Sequence, residues 1–513
     1  MSMPEHENLK RHAVSGAKWI GLATVVTAAL QFLQVAMLTR FLSPGEFGLM
    51  AMAMFVYGIA QAFNDMGISN AIIQRKDTTR DRLSSLFWLE IAVGFGLFLL
   101  TLISTPLAVG FYNEPALAGV MLWISVIFLV TPPGQIFMVL LQKELRFRKL
   151  ALIEILASVT SLIVTVAAAY FGLGVMALVI GQICYFGIRS LQFVAVGLPL
   201  WRPHLHFSTS DLRGYIGFGM CQMGERTVTY LSINVINLII GRYLGAGALG
   251  QYSVAYQMIV YPVLRLNNVI MSVSFPIFAK FQDMNEMLRQ GYLHLSRAIS
   301  FATFPVIVVA FVAAPIIVPL LLGPGWSEVT PVFRILCAVA IFRALGSTTV
   351  PTYLAKGRAD LGFTWNFVVA AVNGIVFYFT ASYGIIALGM AFAATSLLQF
   401  VVMQTITGRM IELKWNAYLR SMALVSAKSA ITGAVVYALY LAGTGMGMDR
   451  VVLLAAMLTV GIFVYTAMAI GFNLDYLKEL WGLVAPQPGS KKRIIYCSAA
   501  NVTVVHPVQE PSK

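Results

Sequence analysis

The chain has 513 residues, of which 59% are hydrophobic and 11% are charged, and its formal net charge is +14. Because a soluble domain carries roughly 25% charged residues, this composition excludes a soluble protein and predicts an all-α polytopic membrane protein. A positive net charge can indicate nucleic-acid binding, but the basic residues lie in short loops between apolar segments. We therefore expect no nucleic-acid partner.

Apolar segments follow one another through most of the chain, and each is long enough to cross a bilayer as a helix. Two pairs of segments almost touch, and the junctions contain glycine at 172, 174 and 384. The pattern predicts about fourteen transmembrane helices, at residues 18–39, 47–68, 84–110, 117–141, 150–170, 174–198, 215–241, 248–272, 297–322, 331–354, 361–382, 385–407, 420–442 and 451–473.

The basic residues are distributed unequally between the two sides of the membrane. When the chain crosses the membrane once in each of the fourteen segments, nearly all lysines and arginines of the loops and termini fall on one side. The other side receives Arg40, Arg242 and Arg450. The positive-inside rule then predicts that both termini are cytoplasmic. Every loop on the opposite face is short, which argues against a membrane polymerase or ligase for sugars.

A short motif occurs twice, once from Arg40 to Gly48 and again from Arg242 to Gly250. Both copies read R-[aromatic]-L-x-x-G-x-[apolar]-G. A repeat of this kind predicts two related halves with a transport site between them. We expect two six-helix lobes at residues 1–198 and 215–407, connected by a linker at 199–214. Two added helices at 408–473 and a disordered cytoplasmic tail at 474–513 follow them.

Polar side chains inside the apolar segments are the candidate site, because they are unfavourable in lipid unless they have a partner or a function. In the seventh segment, Glu225 and Arg226 share a polar stripe with Gln222 and Thr229. The first segment, its counterpart in the repeat, carries a stripe of its own: Thr24, Thr27, Gln31 and Gln34. We expect both stripes to line one central cavity. The alternative is that Glu225 and Arg226 only fasten helices together.

Three further cations lie inside the segments: Arg265, Arg343 and Lys428. A cationic cavity favours an anionic cargo, and arginine suits phosphate or carboxylate groups. Arg265 and Lys428 could equally extend their head groups to the membrane surface. Glu90 and Glu225 are candidates for ion coupling, although Glu90 could equally pair with a basic residue. The sequence shows no metal-binding pattern, cofactor motif or phosphate loop.

Several longer motifs resemble those of a known family. They are T-R-F-L-S-P-G-E-F-G (39–48), D-M-G-I-S-N-A-I-I-Q-R (65–75), I-G-R-Y-L-G-A-G-A-L-G-Q-Y-S-V-A-Y (240–256), F-P-I-F-A-K-F-Q-D (275–283), G-P-G-W (323–326) and A-K-G-R-A-D (355–360). In this order they resemble the polysaccharide transporters of the multidrug/oligosaccharidyl-lipid/polysaccharide flippase superfamily, and most closely the WzxC-type lipid-linked oligosaccharide flippases.

The resemblance implies a V-shaped, two-lobed helical bundle in a bacterial inner membrane, with no cofactor and no enzymatic activity. It implies an undecaprenyl-diphosphate-linked oligosaccharide as cargo, moved by alternating access. Membrane lipid, a polysaccharide polymerase and chain-length machinery are the further expected partners. Two other functions stay open: an ion-coupled exporter of small drugs, which would need more cavity carboxylates, and a non-transporting scaffold, which would leave the buried arginines unexplained.

Overall fold

The computed structural model describes residues 3–64, 72, 79–212 and 216–472, and every regular element in this part of the chain is helical. The predicted tail, 474–513, lies outside the described residues. The helices are α1 (Met3–Leu38), α2 (Pro44–Asn64), α3 (Arg80–Tyr112), α4 (Leu117–Ser125), α5 (Ile127–Val130), α6 (Pro132–Lys143), α7 (Phe147–Tyr170), α8 (Val175–Gly197), α9 (Ile216–Tyr243), α10 (Gly245–Lys280), α11 (Asn285–Leu322), α12 (Val329–Gly346), α13 (Thr349–Ala355), α14 (Ala359–Ala381), α15 (Gly384–Met410), α16 (Trp415–Gly445) and α17 (Arg450–Phe472), with a 3₁₀ turn at Pro324–Trp326.

Each of the fourteen predicted spans contains a helix. Eleven of the described spans are long and apolar enough to cross a membrane, and a bent pair, Leu117–Val130 with Pro132–Lys143, makes a twelfth. The other two are α9 and α10, of 28 and 36 residues, in which polar side chains interrupt the apolar sequence. The short junctions predicted between spans are also present, because Gly172, Gly174 and Gly384 adopt positive φ angles there.

The fourth span is interrupted in both halves, and in the first half it is also strongly bent. In the first half, the bend of 46° falls between α5 and α6, where Pro132 begins the new helix. In the second half, the chain breaks between α12 and α13, and Pro351 follows in the first turn of α13. Proline has no N–H and crowds the preceding turn, which explains why both spans are interrupted.

The two halves pack in parallel ways. The first helix of each half lies against the fifth span of the same half, as α1 on α7 and α9 on α14. The fifth and sixth spans then pack together, as α7 on α8 and α14 on α15. The second helices, α2 and α10, pack on each other along the centre of the molecule. Helices α16 and α17 pack on each other and on α11, outside this repeat.

The repeated motif forms the contact between the halves at one end of the bundle, which we call the motif end (residues 39–48 and 241–250). A Cβ atom on Gly48 would lie 1.7 Å from the carbonyl oxygen of Ala246, and a Cβ on Gly250 would lie 1.7 Å from that of Pro44. Gly48 and Gly250 are equivalent positions of the repeat, as are Pro44 and Ala246. The close approach is therefore reciprocal and requires glycine on both sides.

The repeated arginines reinforce this contact. Arg40 donates through Nη2 to the carbonyl oxygen of Leu320 in the last turn of α11. Arg242 donates through Nη1 to the carbonyl oxygen of Phe111 in the last turn of α3. Each arginine thus crosses to the opposite half and binds the negative end of a helix dipole. Trp326 adds a third crossing, since its Nε1 donates to the carbonyl oxygen of Thr39 at 3.1 Å.

The segment after α8 is fastened to the first half. Trp201 is buried against the rings of Phe87 and Phe137. Ser85 donates to a carboxylate oxygen of Asp211 at 2.8 Å. This hydrogen bond, with a weaker one from His206, lowers the pKa of Asp211 below its ordinary value. The part of the predicted linker up to residue 212 is therefore a docked segment rather than a free connection.

Candidate functional site

Arg265 joins the two halves through the predicted polar face of α1. Its Nη1 donates to Thr27 Oγ1 at 3.2 Å and its Nη2 donates to Gln31 Oε1 at 2.8 Å. Gln31 is exposed and Arg265 is half-buried. Thr24, one turn before Thr27, uses its hydroxyl within α1 by donating to the carbonyl oxygen of Ile20. The guanidinium of Arg265 is therefore held by neutral oxygen acceptors of the opposite half.

A charged cluster that we did not predict lies near Arg265. Arg189 Nε of α8 is 2.7 Å from Glu154 Oε1 of α7, and Tyr185 donates its hydroxyl to Glu154 Oε2 at 2.7 Å. Arg265 lies within electrostatic range of Tyr185. Arg189 was not among the predicted site residues, and it lies inside α8. Its position within the predicted span 174–198, in the helix that follows the Glu154-bearing α7, was the available signal.

The residues of the predicted polar stripe on α9 lie in two different environments. Glu225 is exposed and lies within electrostatic range of Tyr353 on α13, whereas Arg226 is half-buried. Thr229 accepts a hydrogen bond from Asn366 Nδ2 of α14 at 2.9 Å, inside the second half. The side chain of Gln222 lies outside the described residues. The stripe thus places Glu225 toward an open surface and uses Thr229 for packing.

Arg343 lies on α12 between aromatic side chains. Its guanidinium carbon is 5.8 Å from the ring centre of Phe392, which is a cation–π distance. Its Nε and Nη2 are buried and have no hydrogen-bond partner among the described residues. The hydroxyls of Tyr252 and Tyr256 are also buried without a partner there, and Arg343 is within electrostatic range of both. These donors could bind an anionic oxygen together.

The remaining two predicted residues lie elsewhere. Glu90 is 2% exposed in α3, within the first half. Lys428 is 5% exposed on α16 and lines a pocket between α16 and α11, away from the partners of Arg265. The structure therefore brings Arg265, Thr27 and Gln31 together, while Arg343, Glu90 and Lys428 occupy separate positions.

The repeat shows that the membrane protein has two related halves. Arg265 is a cation at the contact between them. Residues 37–331 match the family described as "Polysaccharide biosynthesis protein". The chain belongs to this family. It is 31% identical to the teichuronic acid biosynthesis protein TuaB of Bacillus subtilis (strain 168), over 89% of this chain and 95% of TuaB. It is 34% identical to the lipopolysaccharide biosynthesis protein WzxC of Escherichia coli (strain K12), over 70% and 73% of the two chains.

The fold is similar to that of a solved flippase. The lipid II flippase MurJ in an inward closed conformation superposes with a TM-score of 0.72, covering 89% of this chain and 99% of MurJ at 14% identity. At this identity the similarity concerns the fold alone. The predicted helical fold and the predicted membership of the polysaccharide transporter family are both confirmed.

Proposed function

We propose that this protein is a flippase that moves an undecaprenyl-diphosphate-linked oligosaccharide across the bacterial inner membrane by alternating access. The family supports a role in polysaccharide biosynthesis. The fold supports movement of a lipid-linked cargo, and the described helices provide a polytopic membrane body. No covalent step is assigned to any residue, because translocation requires only binding, reorientation and release.

The observation that carries the proposal is the bridge from Arg265 to α1. Thr27 and Gln31 are neutral acceptors, whereas a diphosphate is charged and can accept two parallel N–H bonds from one guanidinium. A guanidinium–phosphate pair adds Coulombic attraction and bidentate geometry that the two neutral acceptors do not provide. A cargo diphosphate would therefore displace the neutral acceptors and bind at the contact between halves, where its binding is coupled to their relative position.

The closed motif end defines the access state. We place this end at the periplasmic face, with both termini in the cytoplasm, because Arg40 and Arg242 lie in the loops that the positive-inside rule assigns there. Release of cargo then requires Gly48 and Gly250 to part from Ala246 and Pro44. The two halves would separate at the motif end as the six-helix lobes rotate about the α2–α10 contact.

Ion coupling has two candidates, and they differ in exposure. Glu225 is exposed, so an ion or a proton can reach it directly. Glu90 is buried in α3 and would exchange a proton only when the helix packing opens. The polymerase and the chain-length machinery of the same polysaccharide are the proposed protein partners. They would receive the cargo at the motif end.

The test is polysaccharide export in a strain that lacks this protein. Complementation with Arg265→Ala is expected to reduce surface polymer at least about tenfold at normal membrane abundance, because the charge-assisted contact is lost. Arg265→Lys is expected to restore part of it, since the charge remains but the fork geometry does not. Arg226→Ala and Arg343→Ala test the other two cations in the same assay. Arg358→Ala is the matched control, because Arg358 is exposed and pairs with Asp360 outside this site.

The lipid-linked intermediate distinguishes loss of transport from loss of synthesis. If the proposal is correct, the Arg265→Ala strain accumulates the intermediate in the inner membrane while its surface polymer falls. Full export by Arg265→Ala would contradict the proposed site. Unchanged export in the strain without the protein, with new sensitivity to cationic drugs, would instead indicate the small-molecule exporter.

A further inference from the structure

A second cationic site lies outside the contact between the halves. Helices α11 and α16 enclose a pocket of about 540 Å³. On α11 its wall is a row at i, i+4 and i+8 that contains Arg297 and Phe301, and on α16 a similar row contains Arg420, Leu424 and Lys428. Residues four apart lie on one face of a helix, so two such rows face each other across the pocket. The volume falls in the range of ligand-binding pockets, roughly 300–1,000 Å³.

Lys428 is the deepest charged group of this pocket. As a whole residue it is 5% exposed, it lines the pocket, and no ion pair holds it among the described residues. Arg297 is partly satisfied, because its Nε donates to Ser421 Oγ at 2.6 Å. Three cations that line one pocket at membrane depth favour binding of an anion there.

Among the described residues, no side chain that lines the pocket supplies that anion. The lining of the pocket contains no aspartate or glutamate, and the sequences of α16 and α17 contain none either. The single acidic residue of α11 is Glu286, which pairs with Arg289. Apolar side chains share the lining with the three cations, as Phe301 and Leu424 show. The pocket therefore combines uncompensated positive charge with an apolar wall.

We propose that this pocket binds the phosphate of a membrane lipid. Lys428 and Arg420 would contact the phosphate oxygens, with Arg297 completing the cationic side, and the hydrocarbon chain would lie against Phe301 and Leu424. Basic pockets between membrane helices are suited to anionic lipid head groups. Two lipids carry the required chemistry: an anionic phospholipid and a polyprenyl diphosphate. The site does not include Arg265. It assigns a lipid-binding role to α16, a helix outside the repeat.

The experiment measures lipid binding to the purified full-length chain by native mass spectrometry. Phosphatidylglycerol is the probe, phosphatidylcholine is the neutral comparison, and undecaprenyl diphosphate is the competing probe. Lys428→Met is expected to weaken phosphatidylglycerol binding roughly tenfold, because a charge-assisted contact is lost, while Lys428→Arg keeps most of it. Lys414→Met is the matched control, since Lys414 precedes α16 and does not line the pocket.

Thermal unfolding in detergent provides a second readout that does not depend on lipid capture. In the absence of lipid, Lys428→Met is expected to unfold at a temperature no lower than that of wild type, because one of three like charges lining the pocket has been removed. Added phosphatidylglycerol should raise the unfolding temperature of wild type more than that of Lys428→Met at the same lipid concentration. This test also keeps a folding defect distinguishable from lost binding.

The outcomes show which lipid binds, and they also show whether the proposal fails. Displacement of phosphatidylglycerol from wild type by undecaprenyl diphosphate at lower concentration would identify the polyprenyl lipid as the ligand. No displacement would identify the phospholipid. Equal binding of phosphatidylcholine, or equal phosphatidylglycerol binding by wild type and Lys428→Met, would overturn the proposal. Neither result depends on whether Arg265→Ala stops export.

Discussion

Gly48→Ala adds a methyl group at the point where the two halves touch, and Gly250→Ala adds one at the equivalent point. The new Cβ would lie 1.7 Å from a backbone carbonyl oxygen of the opposite half, whereas ordinary contact begins at 3.4 Å. The helices α2 and α10 must therefore separate by about 1.7 Å at the motif end. A backbone carbonyl cannot turn aside as a flexible side chain can.

The clash acts on the closed state alone, because the opposing carbonyl moves away when the motif end opens. Overpacking of this kind destabilises a packed contact by about 1–3 kcal/mol. An equilibrium between closed and open motif ends would then shift about 5- to 150-fold toward the open state. Both glycines should give similar shifts, since the two contacts are related by the repeat.

Accessibility of a buried cysteine measures this shift. Leu249 is fully buried at the motif end, so Leu249→Cys in a cysteine-free background should react slowly with a membrane-impermeant thiol reagent. Addition of Gly48→Ala or Gly250→Ala is expected to accelerate labelling from the periplasmic side. The same pair of variants is expected to export less polysaccharide, because fewer molecules keep the motif end closed, which is the cytoplasm-facing state in the orientation that we propose.

The chain contains its own control positions. Gly45 and Gly247 are also equivalent in the repeat, but a Cβ on either would meet nothing closer than 3.9 Å. Gly45→Ala and Gly247→Ala should leave the labelling rate unchanged and favour the helix slightly. If Gly48→Ala labels no faster than Gly45→Ala, the glycine contact does not hold the motif end closed and our reasoning about it is refuted.

Three further predictions concern polar contacts. Arg40→Ala and Arg242→Ala each remove a bond to a helix end, worth about 0.3–1 kcal/mol at an exposed position, so they should accelerate the same labelling less than Gly48→Ala does. Arg189→Ala leaves Glu154 without its ion-pair partner. A double-mutant cycle with Glu154→Gln, measured by thermal unfolding, should give a coupling energy of about 1 kcal/mol. Additive effects of the two substitutions would contradict the ion pair. The pKa of Asp211 is lowered in the folded protein, so its contribution to linker docking is present above the unfolded pKa. That contribution is lost as the pH falls through the depressed pKa. Hydrogen exchange of residues 199–212, corrected for intrinsic rates, should therefore rise below about pH 4 and stay constant between pH 7 and 5.

The sequence predicted much of the fold because the bilayer imposes a strong length requirement on apolar segments. Each predicted span contains a helix, and the close junctions at 170–174 and 383–384 are present. The repeat starting at Arg40 and Arg242 was visible without a structure. Its physical role was not, because the motif does not show that Gly48 meets Ala246 across the molecule.

The candidate site was predicted less completely. The predicted stripe on α1 contains Thr27 and Gln31, which accept hydrogen bonds from Arg265. The sequence carried no signal that ranked Arg265 above the other cations inside the spans, and the role of these residues in a cavity stays a prediction. Arg189 was absent from the predicted site, although it lies inside the predicted span 174–198 and pairs with Glu154. Helix periodicity shows which residues share a face; it does not show which helix that face meets.

The contact at the motif end has the form of an isologous interface. Gly48 meets Ala246 while Gly250 meets Pro44, so each half offers the other the same surface, as two subunits of a twofold homodimer do. This form indicates an ancestor of six helices that paired with itself before duplication and fusion joined the copies. Thr27 and Thr229, equivalent in the repeat, now bind Arg265 and Asn366 respectively. Symmetry is thus retained where the chain closes, and divergence is found where a cargo without symmetry would bind.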